Sequence, residues 1–273
     1  MKTCFSHYFS RYYLFTLHGL QAQLSYRGGF ALGIVAGAVG LLAQICLWRA
    51  VYGRDAGAVL AGFSLAEMST YVLVANLLYQ MLDNRADHEI AADVMRGDIV
   101  IAFVRPLNYP VAKFFACLPA SIGNLLFVGL PLCVAGALLF GLQLPGPGDA
   151  VLFCLSAALS LAVGFLINAM VGALAFATTN IWGIQVMKTA VVSILSGHLI
   201  PLSFFGPTLQ RIGELLPFRA MVDAPLRLFL GKYEGALDAA AILGMQLFWV
   251  LALGLACAAL WRALAGRLEV LGG

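Results

Sequence analysis

The acidic and basic side chains of this chain gather where they could grip another surface, not where they could catalyse. Of its 16 basic and 13 acidic residues, nine fall within residues 83–113: Asp83, Arg85, Asp87, Glu89, Asp93, Arg96, Asp98, Arg105 and Lys113. Ile90 and Val94 recur at a step of four among them, and Gly97 follows, a pattern that predicts a short amphipathic helix ending near Gly97–Asp98. Apolar Ile90 and Val94 flanked by Glu89, Asp93, Arg96, Gly97, Asp98 and Arg105 suit docking, with the apolar pair filling a groove on a partner and the charges setting register. A solvated loop with internal pairs such as Asp93–Arg96 is the plainer alternative.

Other chemistry is sparse. His7, His18, His88 and His198 are scattered, and Cys4, Cys46, Cys117, Cys133, Cys154 and Cys257 are isolated with no CxxC spacing, so no metal site is expected. No HExxH, GxSxG or glycine-rich dinucleotide fingerprint occurs. GxxxxGK[ST] is absent too, since Gly183 to Lys188 lacks the second glycine; the chain cannot bind ATP through a P-loop. Asn76, Gln80, Gln185 and His198 lie in long apolar runs, where a polar group either bonds to a neighbouring helix or lines a translocation path. These four are the candidate path residues.

The elements that must carry these residues are membrane spans. The chain is 62% hydrophobic and 11% charged, against about 25% charged in ordinary globular domains. Residues 28–48, 68–82, 114–148, 150–187, 189–210 and 239–261 contain no charge at all. A helix needs about 20 apolar residues to cross the hydrocarbon core, so the expected fold is an all-α integral membrane protein with six transmembrane helices. The spans read as residues 30–47, 64–82, 114–140, 150–178, 182–200 and 239–260. The whole chain, 1–273, is expected to form one transmembrane domain.

Local signals mark several boundaries. Ser64 and Glu67 fit a capping box opening the second span. Pro119 and Pro131 are expected to kink the third, and Asp149 to cap the fourth after the Pro145–Gly148 turn. Lys188 is expected to snorkel from near one end of the fifth. Phe9, Tyr13, Leu17, Leu20 and Leu24 give residues 5–26 the stripe of an amphipathic helix lying in the membrane interface. The proline-rich segment 201–238 reads as re-entrant structure. With both termini cytoplasmic, ten of the 16 basic residues fall inside, including those of residues 83–113, as the positive-inside rule requires. A net charge of +3 with no basic run excludes nucleic-acid binding.

Two stretches resemble a known family. Met95-Arg96-Gly97-Asp98-Ile99 leading to Val104-Arg105-Pro106-Leu107-Asn108, and Ser196-Gly197-His198-Leu199-Ile200-Pro201-Leu202 leading to Leu216-Pro217-Phe218, are similar to elements of the ATP-binding cassette type 2 permeases, in particular their bacterial uncharacterised branch. The chain departs from that pattern at Gly206-Pro207-Thr208, where an aromatic is usual near the proline. The resemblance implies an N-terminal elbow helix, a cytoplasmic coupling helix within residues 83–113 and an outer re-entrant segment. It implies an exporter permease subunit of the bacterial inner membrane, itself not an enzyme and binding no cofactor, with ATP and Mg on two copies of a separate ATPase subunit. A second permease chain, identical or homologous, would complete a dimer for efflux of an amphipathic, drug-like or lipid-linked molecule. A membrane-embedded lipid-modifying enzyme and a secondary transporter are the rival readings; the first would need clustered acids, histidines or a nucleophile-base pair, the second inverted repeats or midplane charges.

Overall fold

A computed structural model describes residues 16, 27–53, 58–104, 108–178 and 180–271. The amphipathic helix expected at residues 5–26 lies outside the described residues except for Thr16, whose hydroxyl donates to the Phe115 carbonyl at 3.1 Å.

The described chain is almost entirely helical. Helix α1 (Arg27–Tyr52) leads to a short antiparallel hairpin of β1 (Val59–Leu60) and β2 (Phe63–Ser64), then to α2 (Leu65–Leu82). The capping box is present: the Ser64 hydroxyl accepts from the Glu67 amide at 3.3 Å, and the Glu67 carboxylate accepts from the Ser64 amide at 2.7 Å. The hairpin, which no sequence signal marked, is clamped by the Tyr52 hydroxyl on the Phe63 carbonyl at 2.7 Å. Deeper in the bundle, Asn76 donates to Gln44 at 2.8 Å and ties α1 to α2.

Two short helices follow, α3 (Ala86–Arg96) and α4 (Asp98–Val104), divided by Gly97 at φ +80, the left-handed helix stop its sequence position suggested. Then α5 (Tyr109–Asn124) passes through one π turn (Leu125–Gly129) into α6 (Leu130–Phe140). Pro131 has no N–H for the preceding turn, and the π turn just before it absorbs the misfit. Gly136 lets α6 press against α2: a Cβ there would run into the Leu73 side chain.

Helix α7 (Pro147–Ala173) ends in a 3-10 turn (Leu174–Phe176). Its start corrects the sequence reading of Asp149. Gly146 occupies the cap position and no side chain caps it; Asp149 lies in the first turn and accepts instead from the Tyr233 hydroxyl. Helix α8 (Trp182–Leu195) is also shorter than the span expected through residue 200. At about 1.5 Å per residue, 14 residues reach only about 21 Å. Gly197 at φ +84 and Pro201 stop it, and the chain continues without helix through Ser196–Ile200. A 3-10 turn (Leu202–Phe204), α9 (Pro207–Leu215), a second 3-10 turn (Pro217–Ala220) and α10 (Asp223–Phe229) fill the rest of this bundle end before the long α11 (Gly235–Leu271). The Tyr71 hydroxyl on the Gly197 carbonyl (2.6 Å) and the Asp223 amide on the Ser196 carbonyl (2.9 Å) stitch the non-helical stretch to α2 and α10.

Four helical stretches are long and apolar enough to cross a membrane: Gly29–Tyr52, Tyr109–Phe140, Pro147–Phe176 and Gly235–Ala265. Helix α2 has the length but carries Glu67, Asn76 and Gln80, and α8 is apolar but short. The bundle also presents large apolar side chains outward, Leu32, Leu138 and Leu255 among them, as a surface bathed in hydrocarbon would.

Gln246 of α11 is the main polar tie inside the bundle. It is fully buried, accepts from the Ser156 hydroxyl at 2.8 Å, and donates to the Ser160 hydroxyl at 3.1 Å and the Ala220 carbonyl at 2.8 Å. One side chain thus joins α11, α7 and the segment before α10. Gln246→Leu leaves these groups short of partners, and a stability loss of about 1–3 kcal/mol is expected, read as a lower unfolding temperature of the detergent-solubilised protein.

Candidate functional site

The charged segment folds into a plate seated against one end of the bundle. Helix α3 buries Ala86, Asp87, Ile90 and Ala91. Its seat is α7, where the absence of a side chain at Gly172 lets α3 approach closely; a Cβ at Gly172 would lie 2.8 Å from the Ile90 Cβ and 3.0 Å from the Asp87 carbonyl oxygen. Ala86, Ile90 and Ile99 join Tyr109, Phe165, Ala169 and Trp261 in one apolar cluster, with Val94 packed beside it.

Two sets of ion pairs fasten this plate. Asp87, 2% exposed, receives Lys188 of α8 at 2.8 Å. The same ammonium donates to the Asn168 carbonyl oxygen on α7 at 2.8 Å, and the Asn168 amide donates to Asn84 at 2.9 Å. Asn84 in turn accepts from the Ala86 amide at 3.1 Å, fixing the start of α3. This network corrects the expectation for Lys188: it does not snorkel outward but turns inward, because a buried carboxylate without a cation would be costly. The second set lies on α5, where Lys113 meets Asp93 at 3.0 Å and Glu89 at 3.2 Å, and the Tyr109 hydroxyl donates to Asp93 at 2.7 Å. Asp93 therefore pairs with Lys113 and not with Arg96, which lies near Asp98 at 3.7 Å and donates to the Ala92 carbonyl.

These contacts revise which residues could meet a partner. Ile90 is 0% exposed and sealed against Gly172, so it cannot fill a groove elsewhere, and Val94 is half-buried against the chain's own core. Asp93 is committed to α5, as is Glu89, although Glu89 remains half open to solvent. Arg96, Gly97 and Asp98 are exposed. Arg105 lies outside the described residues. The exposed face of α3 includes two residues outside the expected docking set, His88 and Met95, the latter 60% exposed. A cleft of about 440 Å³ opens between this face and the start of α8, walled by His88, Met95, Arg96, Ile181, Trp182 and Gln185.

The four candidate path residues are not brought together. Asn76 and Gln80 lie one turn apart on α2 facing α1 and α6, with Asn76 bonded to Gln44 and Gln80 beside Gly37 and Gly129. Gln185 is buried beside the cleft at α3. His198 is 8% exposed and stacks on Tyr79 at 4.1 Å between ring centroids; neither ring nitrogen has a hydrogen-bond partner among the described residues. No group of three or more His, Cys, Asp or Glu side chains placed to hold a metal ion occurs among the described residues.

A bundle of apolar helices bearing a short, ion-paired helix plate at one end defines a polytopic membrane domain. The chain belongs to the ABC-2 family of transporters: residues 38–270 match the family model described as ABC-2 family transporter protein. It is thus a transport membrane domain of that family. A search of curated proteins returned no match.

Proposed function

We propose that this chain is the permease subunit of an ATP-driven exporter, and that the plate formed by α3 and α4 is where a separate ATPase subunit delivers its motion. The observation that carries this reading is the double fastening of α3: ion pairs on α5 and α8 and close packing on α7 make it a handle that cannot move without moving three membrane helices. In this reading the handle is gripped on its outer face, through Met95 and Trp182 as apolar anchors and His88, Arg96 and Asp98 as polar contacts around them.

The six-span arrangement completes the proposal. Helices α2 and α8 cross together with the four long apolar stretches, α8 being finished by the non-helical segment beyond Leu195 and residues 201–238 forming the outer re-entrant part. Both termini lie in the cytoplasm of a bacterial inner-membrane protein, preceded by an elbow helix at residues 5–26. Two ATPase copies close on ATP and Mg and rock this chain against a second permease chain, identical or homologous, by rigid-body motion. The cargo is an amphipathic, drug-like or lipid-linked molecule. Asn76, Gln80, Gln185 and His198 remain the path candidates; of these His198 is the best supported, since it is a buried imidazole whose nitrogens have no hydrogen-bond partner among the described residues.

The test separates the outer face from the inner one. Met95→Asp, with Arg96→Glu as a second variant, is expected to leave thermal stability within about 0.5 kcal/mol because both side chains are exposed. Co-purification of the co-expressed ATPase subunit should fall at least tenfold. Full retention of the ATPase by both folded variants would remove the outer face of α3 as the contact.

A further inference from the structure

A second cavity, of about 500 Å³, opens at the same bundle end between α5, α7 and α11 and shares no lining residue with the α3 cleft. Its size is that of a small-molecule site, and its walls are apolar: Phe114 of α5, Phe165 and Leu166 of α7, and Cys257 of α11. The space exists because α11 carries Gly254 and Ala258 where it faces the gap, and α7 carries Ala162. A Cβ built at Gly254 meets nothing within 4 Å. At the mouth stands Arg262, exposed, one turn beyond Ala258 and without an ion-pair partner among the described residues. Tyr109 and Trp261, their rings 4.9 Å apart, mark the same level, the position aromatic residues take where hydrocarbon meets headgroups.

We propose that this cavity binds one anionic phospholipid of the leaflet on the α3 side, its acyl chain in the slot opened by Gly254 and Ala258 and its phosphate on Arg262. A hydrocarbon chain laid against these apolar walls would gain the dispersion contacts that packed apolar groups make. The sign of the charge then selects the headgroup. Lys113 of α5 is engaged by Glu89 and Asp93, whereas Arg262, with no ion-pair partner among the described residues, has its charge to offer, as basic pockets between membrane helices do for anionic lipids. Apart from membrane insertion, the inference does not depend on the proposed ATPase contact.

Trp261 provides a probe within the site. The chain has four tryptophans; with Trp48, Trp182 and Trp249 changed to Phe, the full-length protein is reconstituted with brominated phosphatidylglycerol or brominated phosphatidylcholine. Quenching of Trp261 is expected at about fivefold lower mole fraction of the anionic lipid, the factor that one basic contact near an anionic surface is worth. Arg262→Gln should abolish that preference and Arg262→Lys should keep it. Equal quenching by the two lipids, the mark of an ordinary annulus, overturns the proposal, as does a preference that survives Arg262→Gln or an absence of quenching. Native mass spectrometry of the protein with its tryptophans intact gives an independent reading: Gly254→Phe, which fills open space, should lose the retained phosphatidylglycerol, and unaltered retention counts against the site. Neither readout involves ATPase binding or transport.

Discussion

Lys188→Met is expected to destabilise the protein by about 3–5 kcal/mol, because it leaves the Asp87 carboxylate buried and unpaired. The ammonium at 2.8 Å from the carboxylate is lost, and Asn168 loses a donor in the same step. Asp87→Leu alone should cost as much, by stranding the ammonium among α3, α7 and α8. The double variant Asp87→Leu/Lys188→Met is expected to recover most of the loss, since removing both charges also removes the desolvation cost that their attraction had to offset. Thermal unfolding of the two single variants and the double variant closes the cycle. A double variant as unstable as the sum of the singles would show that the pair is not a unit. If the pair also transmits motion, the stable double variant should still bind the ATPase but lose ATP-driven turnover, separating fastening from folding.

The distance between those partners explains what the amino-acid sequence could and could not tell. Asp87 and Lys188 lie 101 positions apart, and nothing local to Lys188 distinguishes an inward turn from snorkelling. Local signals were readable where they act locally: the Ser64–Glu67 box needs only residues three apart, and the Gly97 stop needs only a glycine after a helical stripe. The uncharged blocks were readable because a bilayer imposes its constraint on each span by itself. Facing was not. Ile90 and Val94 form a stripe that fits a partner's groove and the chain's own α7 equally well, and the choice was made by Gly172 and Ala169 on a distant helix. Ala169 and Gly172, small residues three apart, hint at a seat, but Ser156, Ser160 and Gly164 in the same helix give the same hint elsewhere. The early end of α8 was also signalled, by Gly197 and Pro201, but an unbroken apolar run concealed it. The hairpin at Val59–Ser64 has strands of only two residues, too short for any alternation to register.

The seat itself gives the second large effect. Gly172→Val would place a Cβ 2.8 Å from the Ile90 Cβ and 3.0 Å from a backbone oxygen of α3. Neither atom is the free end of a flexible side chain, so the helices must part. Overpacking of this kind costs about 1–3 kcal/mol, and more where two helices are pinned elsewhere, as α3 is by Lys113 and Lys188. From the other side of the contact, Ile90→Ala removes a fully buried side chain and should cost about 2–5 kcal/mol. Ile90→Asp should cost more still, as an uncompensated charge in the apolar cluster. All three variants should show faster amide exchange in α3 together with a lower unfolding temperature. Met95→Asp, five residues further on and exposed, should show neither. Wild-type stability in Ile90→Asp would mean that this stripe faces outward after all, and the outer and inner faces of α3 would exchange roles.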